Sequence, residues 1–516
     1  MKYRAIAVVT AVFTLLFCAG VTLVSSDQVQ KYERYQQHES MQQLADLPEA
    51  DREAASSLNI DSNTFASHLP VISIDTRGQE IPGRYLTDEN DGMSHDENGV
   101  LLTSLAADGR ETIPVSFELF ASDEDDPAAV RLSDDPQVDA QAEMRIRGHS
   151  SRYFSKPSYQ LKFTQEDRVT SEDHDLLGMG DGSSWALHGP FLDKTLLRNY
   201  VAMSVFGEIM PYTPEVRLIE LFVNDTYQGV YVLMETVRRG DDRVDIKKSD
   251  PNSITTSFIV KRDWLSRDSG TFRDFLNEIR ETSQPLDIVY PSEDNLTEAQ
   301  RNWIEREFFQ FEKSLYSYDY DTSDYGYWNY IDIDSFVDYF LINELTLNAD
   351  SGELSTYFYR DLGGKLAVGP LWDYNNAFNN YMADDYSNYN GFIMMRSPLF
   401  FMLLKDERFV ERTIDRYKEL RKGALSDETL ISTIDSAAAY LEPARNRNYL
   451  VWGYSFDPEL VTANEKLSPD ERNPKNYDEA LAQLKETLLE RTAWLDVNIE
   501  HLRQYCHESA VKRYNH

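Results

Sequence analysis

Cysteine is nearly missing: 516 residues hold two, Cys18 and Cys506. Thiols so placed build neither a disulfide framework nor a cysteine-ligated zinc site. Positive charge is also scarce, with 51 Lys and Arg against 88 Asp and Glu, a formal charge of −37. A surface that acidic repels phosphate backbones and anionic lipid, so generic nucleic-acid binding is excluded as the main role. The nine scattered histidines form no His-Glu-x-x-His pair. No repeat of about 20–50 residues is visible. What the chain does hold is core: 41% apolar and 12% aromatic residues exclude wholesale disorder.

Ala5 to Val24 carries no charge and follows the basic Met1-Lys2-Tyr3-Arg4. The run is long enough to cross a hydrocarbon core of about 30 Å. Neither Ala19-Gly20 nor Ser25-Ser26 makes a clean small-x-small cleavage site, and Phe17 spoils the lipobox of Leu15-Leu16-Phe17-Cys18. The run predicts an uncleaved signal anchor, with a cleaved signal peptide as the alternative. Lys2 and Arg4 stay on the cytoplasmic side, which makes the chain a single-pass membrane protein with an extracytoplasmic body, or a secreted one.

The expected order is an anchor or signal over 1–26, a polar stalk over 27–68, a β-rich lobe over 69–284 and a helical lobe over 285–516. Period-two runs at Ile113–Phe120, Ala142–Arg147, Ser158–Phe163, Val216–Val223 and Gly229–Met234 mark strands, with a hairpin loop at Asn224–Gln228. A helix is expected at Thr195–Ile209. Further helices are expected at Glu298–Ser314, Ile333–Leu347, Leu399–Lys422, Asp427–Tyr440 and Asp478–Tyr505, around a short β insert at Leu354–Leu371. The class is α+β, and the pattern is compatible with a bilobal, protein-kinase-like fold.

Two places concentrate chemistry. Between Arg145 and Phe163 stand Arg145, Arg147, Arg152, Lys156 and Lys162 with no acidic residue among them. Gly148, Ser150 and Ser151 supply a turn whose backbone N–H groups suit an anion. This is either a phosphate-binding hairpin or a solvated basic strand pair. A nucleophile elbow fails here, because Gly148-His149-Ser150-Ser151-Arg152 lacks its second glycine and following helix. The second place pairs Asp350, after the helix Ile333–Leu347, with Asp373, after the β insert. Two carboxylates flanking a hairpin either converge on a metal–phosphate site or are ordinary helix-end and turn aspartates.

Arg147-Gly148-His149-Ser150-Ser151 followed by Lys156-Pro157-x-Tyr159-x-Leu161-Lys162 resembles the RGNSS…KKPYRIKL signature of the CotH (spore-coat protein H) kinase family. Leu192–Asn199, Asn224–Glu235 and Gly363–Phe378 are similar to further family blocks, in the family's order. The resemblance covers about Leu69 to Leu420. It implies an atypical, secreted or surface protein kinase that uses ATP with Mg²⁺ or Mn²⁺ on surface or coat proteins. By that resemblance Lys162, with Lys156 as alternative, pairs with the α/β-phosphates, and Arg147, Gly148, Ser150 and Ser151 cover them. Asp350 accepts the proton of the substrate hydroxyl, Asp373 holds the metal, and Arg198 neutralises phosphate or holds Asp373.

Three departures bear on activity. His149 replaces the signature's Asn. Ser355 stands where ordinary kinases carry a metal-binding Asn, and Asn375 stands where the family commonly has a second Asp. A thinner metal shell leaves a second expectation open, a catalytically weak pseudokinase acting as a binding or assembly module. Asp319-x-Asp321 with Asp324 lacks the EF-hand glycine and final Glu. The Tyr-rich stretch Tyr316–Tyr330 is expected to pack as aromatic core and turn.

Overall fold

The computed structural model describes residues 32–87, 93–96, 100–123, 126–264, 271–383 and 390–512. Seven strands close into a barrel. They are β1 (Val71–Asp75), β2 (Ile113–Phe120), β3 (Val138–Ile146), β4 (Tyr159–Phe163), β5 (Ser184–His188), β6 (Val216–Val223) and β7 (Thr226–Glu235). The order is β1-β2-β3-β4-β5-β7-β6, and a parallel pairing of β1 with β6 closes it, Val71 opposite Glu220. Period-two alternation sends Val115, Phe117, Met144, Ile146, Tyr159, Leu161, Phe163, Trp185 and Leu187 into one shared interior. The turn between β6 and β7 is tighter than the expected five-residue loop. Asn224 and Asp225 alone turn the chain, with φ of 50° and 58°, and Thr226 already pairs with Val223.

Outside the barrel, β6 packs against helix α1 (Arg198–Phe206), and Ala186, Leu218, Val230 and Val232 are buried in the same larger core. This larger core continues into a five-stranded sheet of β8 (Phe258–Arg262), β9 (Thr271–Phe272), β10 (Leu286–Tyr290), β11 (Thr356–Arg360) and β12 (Leu366–Val368). Its order is β9-β10-β8-β11-β12, so strands from both sides of position 284 share one sheet. Helices α2 (Glu298–Tyr316), α3 (Ile333–Thr346), α4 (Glu407–Leu420), α5 (Asp427–Tyr440), α6 (Glu442–Trp452) and α7 (Tyr477–Asn498) complete the fold.

The helix ends have local causes. Thr297 and Gln300 form a capping box that starts α2. Leu347 takes the left-handed conformation, φ 50°, and ends α3 where Asp350 must turn away. The single helix expected over Leu399–Lys422 is two, Pro398–Leu403 and α4, because the Asp406 side chain caps the second. Residues 32–68, expected as a stalk, lie against the body. Gln37 exchanges hydrogen bonds with the Leu218 backbone, and Phe65 is buried. In the Tyr-rich stretch Tyr320 and Tyr327 are buried, and Lys405 stands over the Tyr320 ring. Among the described residues no helix is long and apolar enough to cross a membrane; the apolar run 5–24 lies outside them.

Candidate active site

Arg147 follows the last residue of β3 and keeps the ladder going, its N–H donating to the Ser158 carbonyl at 2.9 Å. Alternation therefore leaves it on the outer face, and its guanidinium lies over the Trp372 ring at 5.1 Å. The next residue turns the chain. Gly148 has φ +101°, and a Cβ there would stand 1.9 Å from Ser151 Oγ, so only glycine fits. Ser150 and Ser151 open a single 3₁₀ turn, Ser150–Tyr153. Ser151 Oγ donates to the Arg147 carbonyl at 3.2 Å and Arg152 Nε to the Gly148 carbonyl at 2.6 Å, which closes the loop on itself. His149 stacks on Trp264 with ring centroids 4.7 Å apart and planes 12° from parallel. The turn from the barrel thus rests against the end of β8.

Asp373 enters from the other side. It sits in the left-handed region, φ +65°, and the following residue is pinned twice. The Tyr374 N–H donates to Asn199 Oδ1 of α1 at 2.6 Å, and the Tyr374 hydroxyl donates to Asn343 Oδ1 of α3 at 2.9 Å. Asn343 also holds Asn348, whose side chain in turn accepts from the Asp350 N–H at 3.3 Å. One buried amide on α3 therefore fixes both aspartates.

The two carboxylates feel each other. Burial pushes Asp350 up to about 6, with the Asp373 charge adding to the rise; Asn376 Nδ2, donating to Asp350 Oδ2 at 3.3 Å, opposes it. Burial also pushes Asp373 up, against the Arg147 guanidinium that stabilises its charge. A third carboxylate, Asp263 just after β8, raises both and accepts from Lys261 Nζ at 3.5 Å. Asp263 is not legible from the sequence, because β8, the strand that delivers it, carries no expectation there. Beside Asp373, Asn375 donates through Nδ2 to Asn376 Oδ1 at 2.9 Å, while its own Oδ1 is buried without a partner among the described residues.

Residues 144–495 match the family model described as CotH kinase protein, well over half of the chain. The chain belongs to the CotH kinase family. Curated proteins gave no match. The matched stretch starts inside β3 and runs through the Gly148 turn, α1, both aspartates and nearly all of α7.

Within this CotH kinase family member the expected site residues separate into two groups. Arg147, the Gly148–Ser151 turn, Asp350, Asp373 and Asn375 gather in one place. The two lysines do not join them. Lys156 is 1% exposed, and its ammonium donates to the Val230 carbonyl at 2.6 Å and to Asn448 Oδ1 at 2.8 Å. Burial, then the Lys194 charge, drives its pKa well below the usual value. It is a strut between β7 and α6. Lys162 is exposed on the outer face, opposite Glu143 and Ser184. Glu143 is four residues before Arg147, about 13 Å along a strand, so Lys162 stands away from the aspartates. Arg198 does not hold Asp373 either: its Nη1 and backbone N–H donate to the two oxygens of Asp193, at 2.5 and 2.8 Å. The neighbouring Asn199 fixes the Asp373 segment instead. Ser355 starts the turn into β11 at φ 48°, and among the described residues no hydrogen bond ties its hydroxyl to either aspartate.

Among the described residues no three His, Cys, Asp or Glu side chains stand close enough to hold a metal by themselves. Mg²⁺ needs fewer, one or two carboxylates with phosphate oxygens. Asp373, Asp350 and the orphaned Asn375 Oδ1 fit that donor set.

Proposed function

We propose that the chain transfers the γ-phosphoryl group of ATP, with Mg²⁺ or Mn²⁺, to Ser or Thr hydroxyls of extracytoplasmic surface or coat proteins. The observation that supports this best is the meeting of Arg147, brought by the barrel, with Asp350 and Asp373, brought by the helical side. Phosphoryl transfer asks for positioning and charge neutralisation more than for covalent chemistry. A divalent ion held by Asp373 and Asn375 supplies the neutralising charge when bound. Arg147 faces the phosphates, and the Gly148 turn allows their close approach. Asp350 takes the proton of the substrate hydroxyl as its oxygen attacks the γ-phosphorus and ADP leaves. A carboxylate lifted to about 6 is a better base than an ordinary aspartate and is still mostly ionised at neutral pH.

In this proposal the barrel and the helical part with its own sheet are the two lobes of a kinase-like arrangement, with the site between them. The run 5–24 anchors the chain and leaves its body outside the cytoplasm, where a surface or coat protein is the substrate. The buried strut Lys156 and the exposed Lys162 favour the alternative, a catalytically weak binding or assembly module, since neither supplies a phosphate-facing ammonium. One experiment separates the two. The full chain in detergent is incubated with labelled ATP and Mg²⁺ or Mn²⁺, then tested for phosphoserine and phosphothreonine and for a nucleotide-dependent melting shift. Label in wild type, absent in Asp373→Asn of unchanged fold, supports the kinase. Neither label nor shift leaves the binding module.

A further inference from the structure

At the end of β5, next to the start of β4, stands a histidine that the site described above leaves unused. His188 is 6% exposed, and its Nε2 is buried without a hydrogen-bond partner among the described residues. Its other nitrogen, Nδ1, lies 3.5 Å from Ser158 Oγ, which accepts from the Gly189 N–H at 3.0 Å and still has its own proton to give. With that proton donated to Nδ1, the ring proton sits on Nε2. Burial keeps the ring neutral, with its pKa lowered to about 3. A neutral, fully desolvated N–H donor aimed at nothing is costly, and native structures rarely keep one without a use.

The charges around the ring say what it would bind. Arg147, Asp193 and Lys156 are the charged groups that act on His188. Asp193 is engaged elsewhere: Oδ1 accepts from the Thr195 N–H, Thr195 Oγ1 and Arg198 Nη1, and Oδ2 from the Arg198 N–H. Neither oxygen is hydrogen-bonded to the ring. Two of the three charged neighbours, Arg147 and Lys156, are cations, which favours an anionic acceptor for that N–H. Ser158 ties the two residues together, since its carbonyl receives the Arg147 N–H while its hydroxyl orients His188.

We propose that His188 is a nucleotide-contacting residue that donates its Nε2–H to a phosphate oxygen of ATP beside Arg147. The proposal rests on the phosphotransfer function above and adds a phosphate ligand that replaces the expected lysine contact. It is tested on the full chain, comparing wild type, His188→Leu and His188→Gln. Glutamine keeps an N–H near the Nε2 position; leucine does not. With Mg²⁺ present, His188→Leu should bind ATP at least about tenfold more weakly, the loss expected for a hydrogen bond to a charged group. His188→Gln should recover most of the affinity, and melting of the nucleotide-free proteins should not follow the same order. A second readout needs no variant to bind: in ¹⁵N-histidine-labelled wild type, the Nε2–H signal of His188, assigned by its loss in the glutamine variant, should shift on adding ATP. Wild type that binds ATP while that signal stays put, with His188→Leu within about twofold, overturns the proposal and leaves the kinase function standing. Wild type that binds no ATP overturns both.

Discussion

Replacing Asp350 by Asn should abolish transfer and at the same time stabilise the protein, by an amount that depends on pH in one direction only. The carboxyl of Asp350 is lifted from an ordinary 3.8 to about 6 in the fold. Below pH 3.8 both folded and unfolded chains hold its proton, and the group contributes nothing to the difference. Between 3.8 and 6 the unfolded chain gives up the proton first, so stability falls as pH rises; above 6 the whole cost remains. About two units at 1.36 kcal/mol each is roughly 3 kcal/mol, an upper figure because the side chain keeps some contact with solvent. Asn has no charge to bury and can still accept from Asn376 Nδ2. The gain in melting temperature of Asp350→Asn over wild type should therefore be nil near pH 4 and grow to a plateau above pH 7. Melts of the full chain without nucleotide or metal, at five pH values from 4 to 8, measure it. A pH-independent offset, or a wild type more stable than the variant at pH 8, would refute the burial and repulsion argued for this pair.

Three further outcomes follow from particular contacts. The acidic limb of the transfer rate should fall with an apparent pKa near 6, and Asn376→Leu, which removes the opposing hydrogen bond, should move it up by about half a unit; an unmoved limb assigns the base elsewhere. Lys162→Ala should keep transfer within about twofold of wild type in a steady-state assay, since the side chain projects into solvent away from the aspartates; a loss of a hundredfold would restore it as a phosphate ligand. Arg447→Met should cost about 3–5 kcal/mol in denaturant titration, because it strands Glu220 in the core. Arg447 there donates to both Glu220 oxygens, at 2.9 and 2.6 Å, and to the Ala55 carbonyl at 2.6 Å, so a variant as stable as wild type would deny that this ion pair ties 55–67 to the barrel.

Long elements announced themselves by their period or by an unbroken apolar run, and short or polar-faced ones did not. Ile113–Phe120 alternates strictly, Val216–Val223 is buried throughout but eight residues long, and Ile333–Thr346 begins behind a capping aspartate, so all three stand almost where the pattern put them. β5 escaped because it is buried on both faces: all five residues Ser184–His188 lie inside, and a short continuous run has no period to read. α6 escaped for the opposite reason. Its inward face carries Arg447 and Asn448, which are buried by pairing with Glu220 and Lys156, so polar residues stand where periodicity looks for apolar ones.

The same limit explains which site residues were legible. Spacing alone puts Tyr159, Leu161 and Phe163 on one face of their strand and Lys162 on the other; that the first face fills a barrel is what the structure adds. Which outward cation of the hairpin reaches Asp373 depends on register, and register places Lys162 against Glu143 while Arg147 goes on to Trp372. Chemistry then favours the arginine independently of register. Burial lowers the pKa of an ammonium, as it does for Lys156, whereas a guanidinium keeps its charge when desolvated. Burial first and the neighbouring carboxylates second lift Asp350 and Asp373 together, while the Arg147 guanidinium holds the Asp373 charge and Lys261 pairs with Asp263.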